Sequence, residues 1–320
     1  MKILNKKITS NGRRHIYFLG IKIASYRPQK QTTIINYTNF MKYISNDKIE
    51  LFLQENFYKK TGKLPTETLE TFNEKLLYMA MFENDDLKTK CADKIAVREY
   101  VSSCIGDKYL PVAYDVLENG EQFSPEKYPS NFVLSFNAGS GENIIVTEKN
   151  ELDIAQIRQQ INNWIVFHNH SYSACEMQYY NIMPRVIVRE YIDMKTDLEY
   201  KLFCFMGQVE FIQVISYKHG HSNIGTCHYD RNWKRLPFWR ADKGLYELTD
   251  NIPKPQNLDE LIFLSEKLAK PFKFARIDFY ETVSGNLKFG EITFTPTAAN
   301  IVFGPDNDYW QKYWGDKIIL

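Results

Sequence analysis

Asp278 and Glu291, flanked by Arg276 and Thr293, are the residues whose types and spacing best suit chemistry. They lie in residues 274–296, where two alternating aromatic and β-branched runs flank Ser284-Gly285, the pattern of a β-hairpin. A two-residue loop at Ser284-Gly285 places Val283 opposite Asn286. Continued outward, that register sets Asp278 opposite Glu291 and Arg276 opposite Thr293 on one face. A four-residue loop keeps this pairing and a three-residue loop breaks it. Facing carboxylates repel, and a divalent cation removes the objection because Mg²⁺ is held by a few carboxylates together with phosphate oxygens. Arg276 adds a planar fork suited to phosphate. The competing reading is a surface hairpin with scattered charges. The apolar neighbours Ile277, Phe279, Phe289 and Ile292 favour carboxylates that point into a cleft, and hence a metal–phosphate site.

The elements that must position this hairpin alternate in type. Helical spacing covers residues 39–59 and 69–83, with a capping box at Thr71 to Glu74. Residues 86–105 read as one further helix, on which Lys94 and Arg98 project from the same side one turn apart; such a pair is also what a solvated basic face looks like. An apolar strand at 131–136 runs into Asn137-Ala138-Gly139-Ser140-Gly141-Glu142-Asn143. That small-residue loop can present backbone N–H groups to phosphate, or be an ordinary hairpin turn. A helix follows at 152–167, and residues 171–180 read as a substrate-facing loop. The strand 184–192 ends in Glu190, Tyr191 and Ile192 and is suited to lie beside an adenine ring. A second hairpin turns at Met206-Gly207, with Lys201 near the start of its first strand as either an exposed end charge or a phosphate contact. His219, His221 and His228 have loose metal-ligand spacing, but no cysteine or carboxylate completes a zinc set. A helix at 258–268 leads into the central hairpin, and the aromatic tail at 310–314 is expected on the core.

Composition narrows the class. A chain of 320 residues buries a large core in two or three lobes. A formal net charge of +1 gives no global field for nucleic acid. Five cysteines without Cys-x-x-Cys spacing argue against a disulfide framework and a zinc ribbon, and for a reducing cytoplasm. Neither a signal peptide nor a membrane span is legible. Residues 1–30 carry eight basic and no acidic side chains and also read as a hairpin, which favours structural or partner docking over contact with anionic lipid.

Several strings, taken in order, resemble one family closely: Phe72-Asn-Glu-Lys75, Ala92-Asp-Lys94-Ile-Ala-Val-Arg98-Glu-Tyr-Val, Gly139-Ser-Gly141-Glu-Asn143, Phe211-Ile-Gln-Val-Ile-Ser216 and Gly290-Glu-Ile-Thr-Phe-Thr-Pro296. They resemble the TupA-like (teichuronopeptide biosynthesis) branch of the ATP-grasp superfamily, over residues 69 to 305. The resemblance implies an α+β ATP-grasp fold: two α+β lobes sandwiching the nucleotide, with a small N-terminal extension. It divides the chain into a basic hairpin and helical region (1–85), a lobe with the glycine loop (86–188) and a lobe with the metal hairpin (189–320). It also implies an ADP-forming carboxylate–amine ligase using ATP and Mg²⁺ through an acyl phosphate. The substrates would be a carboxylate-bearing, uronic-acid sugar of a bacterial capsule or other surface polysaccharide and an amino acid or amine. The setting would be cytoplasmic, with peripheral contact to membrane-associated assembly machinery.

By the same resemblance Lys94 contacts the nucleotide phosphates and Gly139, Ser140 and Gly141 cover them. Glu190, Tyr191 and Ile192 form the adenine and ribose pocket. Lys201 lies near the phosphates, Asp278 and Glu291 bind Mg²⁺ with Thr293 as a weaker ligand, and Arg276 steadies the transferred phosphoryl group. The chain departs from the pattern at Ser135, where a phosphate-binding lysine is usual, and at Ala138, Glu142 and Glu199. The first two motivate an alternative: a non-catalytic nucleotide- or glycan-binding relative within a polysaccharide assembly complex.

Overall fold

The computed structural model describes residues 4–8, 14–18, 21–26, 46–166, 174–216, 225–241, 246–249 and 251–320. Strand period and turn chemistry account for its central feature, a six-stranded sheet. β8 (Met194–Phe205) and β9 (Gln208–Ser216) form the hairpin expected at Met206-Gly207, pairing Phe205 with Gln208. β13 (Phe274–Thr282) pairs antiparallel with both β8 and β14 (Leu287–Thr293). β10 (Gly225–Tyr229) and β12 (Tyr246–Glu247) complete the order β12-β10-β9-β8-β13-β14. A second sheet, β4-β7-β5-β6, is built from β4 (Ala113–Leu117), β5 (Phe132–Phe136), β6 (Asn143–Val146) and β7 (Val186–Glu190). Tyr191 to Asp193 carry the chain from β7 straight into β8, so one short linker joins the two sheets.

The N-terminal β1 (Leu4–Ile8), β2 (Arg14–Phe18) and β3 (Ile21–Tyr26) form a separate antiparallel sheet. β11 (Trp239–Arg240) pairs with β15 (Phe303–Gly304). The helices are α1 (Asn46–Thr61), α2 (Phe72–Phe82), α3 (Asp86–Ala92), α4 (Val97–Ile105), α5 (Ile154–Val166), α6 (Leu258–Ala269) and α7 (Asn307–Asp316). Thr71 caps α2, accepting from the Glu74 N–H while the Glu74 carboxylate takes the Thr71 N–H, as the capping box requires.

Alternation along the strands assigns the two faces of the large sheet. Leu202, Cys204, Ala275, Ile277 and Phe279 join a core shared with α6. On the opposite face Phe203, Phe205, Phe211 and Phe274 pack with Phe72 and Trp314. Trp314, from the expected aromatic tail, lies 4.5 Å centroid to centroid from Phe211. That second face is aromatic only in part: the same alternation brings Lys201, Asp278 and Arg276 onto it. The pleat that buries the aromatic cluster therefore also aims the charged residues inward.

Two expectations change. Residues 86–105 do not form one helix; α3 ends at Ala92 and α4 begins at Val97. The Asp93 carboxylate takes the Ile95 N–H (2.7 Å) and the Asn137 side-chain amide (3.0 Å), and the Lys94 N–H donates to the Asn137 carbonyl (3.2 Å). The backbone donors of this turn are thus diverted out of the helix ladder. The turn of the central hairpin holds three residues, Val283, Ser284 and Gly285, between the Thr282 N–H and the Asn286 carbonyl (2.9 Å). Gly285 takes φ +79°, the left-handed position of a three-residue loop. All five cysteines are free. Among the described residues no helix is long and apolar enough to cross a membrane.

Candidate active site

A three-residue turn shifts the hairpin register, and a bulge shifts it back. Phe279 pairs with Phe289, but Ile277 pairs with Ile292 and Arg276 with Thr293, so Asp278 faces both Gly290 and Glu291. The expected Arg276–Thr293 pairing therefore survives although the loop differs. Only glycine fits the bulge without displacement. A Cβ at Gly290 would stand 2.9 Å from the Tyr280 ring and 3.1 Å from the Asp278 carbonyl. Tyr280 and Asp278 are held in place by the strands on either side, so the glycine lets Glu291 approach them.

The carboxylates meet through cations. Asp278 is fully buried and accepts from Arg276 Nε (2.7 Å), Arg276 Nη2 (2.6 Å) and Lys201 Nζ (2.6 Å). Arg276 Nη2 also donates to Glu291 (2.6 Å), and the Thr293 hydroxyl donates to the same Glu291 oxygen (2.8 Å). Lys201 makes a second ion pair with Glu199 (2.8 Å). Lys201 is thus neither an exposed strand end nor a free contact: it sits mid-strand, buried and committed to two carboxylates. Burial opposes ionisation of Glu291, but Arg276, Lys94 and Lys201 together outweigh it and hold its pKa down at about 2. For Asp278, burial prevails over the pull of Arg276 and Lys201 and raises the carboxyl above its usual value.

This corner tests for a divalent metal. The donors are all oxygens, two carboxylates and a hydroxyl, which suits a hard cation. One Nη2 lies within 2.6 Å of both carboxylates, so a single positive centre already satisfies the pair. The donor types suit Mg²⁺, while among the described residues no group of three or more His, Cys, Asp and Glu side chains gathers as a metal cluster.

Beside the corner lies a cavity of about 100 Å³ lined by Lys94, Arg98, Asn143, Arg189, Tyr280 and Glu291 and by the apolar Val97, Leu110, Ile187 and Phe289. Lys94 Nζ donates to the Gly139 carbonyl, which ties the glycine loop to the cavity wall. Gly141 takes φ +91°, a conformation that side chains resist. The loop is rooted in Asn137, whose amide donates to Asp93 (3.0 Å) and the Met183 carbonyl (3.0 Å) while its oxygen accepts the Arg185 N–H (2.7 Å).

The structure thus brings Asp278, Glu291, Thr293, Arg276 and Lys201 into one hydrogen-bonded cluster and sets Lys94, with Gly139, Ser140 and Gly141, next to it. Glu190, Tyr191 and Ile192 stand at the linker instead. The Glu190 carboxylate accepts the Val112 N–H (2.9 Å) and lies 3.7 Å from Lys288, next to the cavity residues Leu110 and Pro111. Arg98, Arg189 and Glu199 were not among the expected site residues. A single arginine inside the apolar run Val186-Ile187-Val188-Arg189 was the available signal for one of them. His168, His170, His219, His221 and part of the 171–180 loop lie outside the described residues. His228 is buried and packs on Phe238.

The family model described as TupA-like ATPgrasp matches residues 74–319. No curated protein matches the chain. Among solved structures it is similar to the D-alanine--D-alanine ligase from Bacillus anthracis complexed with ATP, at 18% identity over 64% of this chain and 55% of that one, with a TM-score of 0.40. It is also similar to the L-amino acid ligase from Bacillus licheniformis, at 9% identity, 79% and 55% coverage and a TM-score of 0.44. A Chryseobacterium gregarium RiPP-associated ATP-grasp ligase, in complex with ADP and a leader and core peptide, aligns over 98% of this chain and 84% of its own, at 10% identity and a TM-score of 0.38. The chain spans 50% to 60% of the length of the first three structures it matches.

Proposed function

The chain belongs to the TupA-like ATP-grasp family and has an α+β ATP-grasp fold, and from this premise we propose that it is an ATP- and Mg²⁺-dependent carboxylate–amine ligase. It would activate a carboxylate as an acyl phosphate, release ADP, and let an amine displace the phosphate. We assign the acid to a uronic-acid sugar of a bacterial surface polysaccharide and the nucleophile to an amino acid or amine. The setting is the cytoplasm, at the inner face of the membrane with the assembly machinery. The observation that carries the reading is the junction at Glu291: its carboxylate meets Arg276 on one side and lines the cationic cavity on the other.

A carboxylate is a poor electrophile, and its activation by phosphoryl transfer concentrates negative charge at the transferred group. Asp278 and Glu291, with Thr293, would hold Mg²⁺, which when bound neutralises phosphoryl oxygens. Arg276, gripped by Asp278 on two nitrogens, is fixed in orientation and can steady the transferred group. Lys94 and the Gly139–Ser140–Gly141 loop would hold the phosphates from the opposite wall. Lys201, 2.6 Å from Asp278, opposes the effect of burial on that carboxyl and aligns it. Glu190, Tyr191 and Ile192 would border the adenine and ribose.

Calorimetry of Mg-ATP binding, comparing the native protein with Asp278→Asn/Glu291→Gln, tests the site. Metal-dependent binding that collapses in the double variant supports it. ADP release across panels of uronic acids and amines then tests the reaction. The second reading, a binding-only relative, is favoured by the missing charge at Ser135. Tight Mg-ATP binding with no ADP release from any pair would select it.

A further inference from the structure

We propose that Arg189 is the phosphate anchor of the smaller sheet, supplying from β7 the positive charge that neighbouring β5 lacks at Ser135. The inference rests on the nucleotide reading above and names a residue that reading does not contain.

Position comes first. Arg189 pairs with Val133 across the β5–β7 ladder, and Ser135, two residues along, shares its face. The Arg189 Nε donates to the Ser135 hydroxyl at 3.3 Å, which fixes the plane of the guanidinium. Both side chains belong to the wall of the sheet turned toward the cavity, where Arg189 joins Lys94 and Arg98.

Charge comes second. Among the described residues, no carboxylate lies within ion-pair distance of Arg189, Arg98 or Lys94. Burial lowers the proton affinity of the Arg189 guanidinium, and Arg98 is depressed first by burial and then by Arg189 itself. The acids that act on these cations do so through space: Glu291 is already shared with Arg276 and Thr293, Glu142 attracts Lys94, and Asp107 attracts Arg98. Three cations around one cavity without an ion-paired carboxylate among the described residues are costly, and a ligand anion would offset that cost.

Geometry comes third. With Nε taken by Ser135, the two Nη groups have no acceptor among the described residues. They form a free fork, which is the arrangement that binds a phosphate through two parallel hydrogen bonds. The ligand class is therefore a polyphosphate, and on the reading above the chain of a nucleoside triphosphate. A cation kept only for structure would show the opposite: a carboxylate partner and no unused donors, as Lys201 does.

The test compares the native protein with Arg189→Met, Arg189→Lys and Arg189→Met/Ser135→Lys for binding of Mg-ATP, tripolyphosphate and adenosine, alongside thermal melting without ligand. Arg189→Met should weaken ATP and tripolyphosphate about ten- to hundredfold and leave adenosine within twofold. The unliganded melting temperature should hold or rise, because an unpaired charge has been removed. Arg189→Lys should keep part of the affinity, and the added lysine at position 135 should restore it in the double variant. ATP binding by Arg189→Met within twofold of native overturns the assignment, as does an equal loss of ATP and adenosine. Native protein that binds tripolyphosphate through Arg189 but not ATP keeps the anchor and sinks the nucleotide reading. Binding of neither sinks both.

Discussion

The two walls of the cleft handle charge in opposite ways. At the hairpin corner three carboxylates, Asp278, Glu291 and Glu199, interlock with two cations, Arg276 and Lys201, through contacts of 2.6 to 2.8 Å. Across the cavity Lys94, Arg98 and Arg189 face one another without carboxylate partners among the described residues. The corner is finished by the protein itself, its three carboxylates outnumbering its two cations; on the proposed reading the opposite wall is finished by an anion. Folding accounts for the first arrangement, because removing any member strands a buried partner. It does not account for the second, and on the proposed reading a ligand does. A site that takes a metal on one wall and phosphate on the other needs this asymmetry.

Asp278→Asn/Glu291→Gln strikes the hairpin corner hardest. Turnover should fall by at least about a thousandfold, on the scale of losing groups that act together on the transferring charge, as measured by ADP release. Turnover within tenfold of native would remove the metal role from this corner.

Stability separates the walls next. Lys201→Met strands Glu199 and the buried Asp278 and should destabilise by about 3–5 kcal/mol in urea unfolding. Lys94→Met should change stability by less than about 1 kcal/mol in either direction, since the Gly139 carbonyl is its one hydrogen-bond partner among the described residues. Equal losses would mean that both walls are structural.

A smaller effect tests the bulge. Gly290→Ala pushes a methyl against the Tyr280 ring and the Asp278 backbone and should cost about 1–3 kcal/mol, with metal affinity falling alongside stability. A neutral outcome in both would show that the bulge does not set the Glu291 position.

The smallest is a matter of pH. The folded-state pKa of Glu291, about 2, lies below its unfolded value near 4.5. Its contribution to stability is therefore complete above pH 4.5 and is lost as pH falls through about 2. Glu291→Gln should therefore be less stable than native above pH 4.5, with the difference closing as pH falls through about 2; a difference that persisted unchanged in acid would point to packing instead. The side chain keeps 36% of its surface accessible, so solvent screening makes this the weakest of the four signals.

Local chemistry made much of this legible in advance. The capping box at Thr71, the turn at Met206-Gly207 and the period-two alternation through Asp278 are written in neighbouring residues. So is the gathering of Arg276, Asp278, Glu291 and Thr293, although the expected two-residue loop was wrong, because the bulge at Gly290 restores the register. What escaped depends on distant partners. The helix break after Ala92 is made by Asn137, 44 residues away. Lys201 looked like a strand end because its counter-ions Glu199 and Asp278 are defined only once β8 and β13 pair. Arg189 was hidden in an apolar strand, since its meaning comes from Ser135 on the neighbouring one.

Asn137 has a mechanical consequence. By bonding to the backbone at Met183 and Arg185 and to the side chain of Asp93, it clamps the root of the glycine loop to two other segments, while Lys94 alone reaches the tip at Gly139. The loop is a short lever with a fixed fulcrum: Ala138 is packed in the core and the Glu142 carbonyl accepts the Phe136 N–H, so any swing is confined to residues 139–141. Amide exchange should follow that division: slow at Asn137 and Arg185, whose N–H groups are held within the clamp, and fast at Ser140 and Gly141.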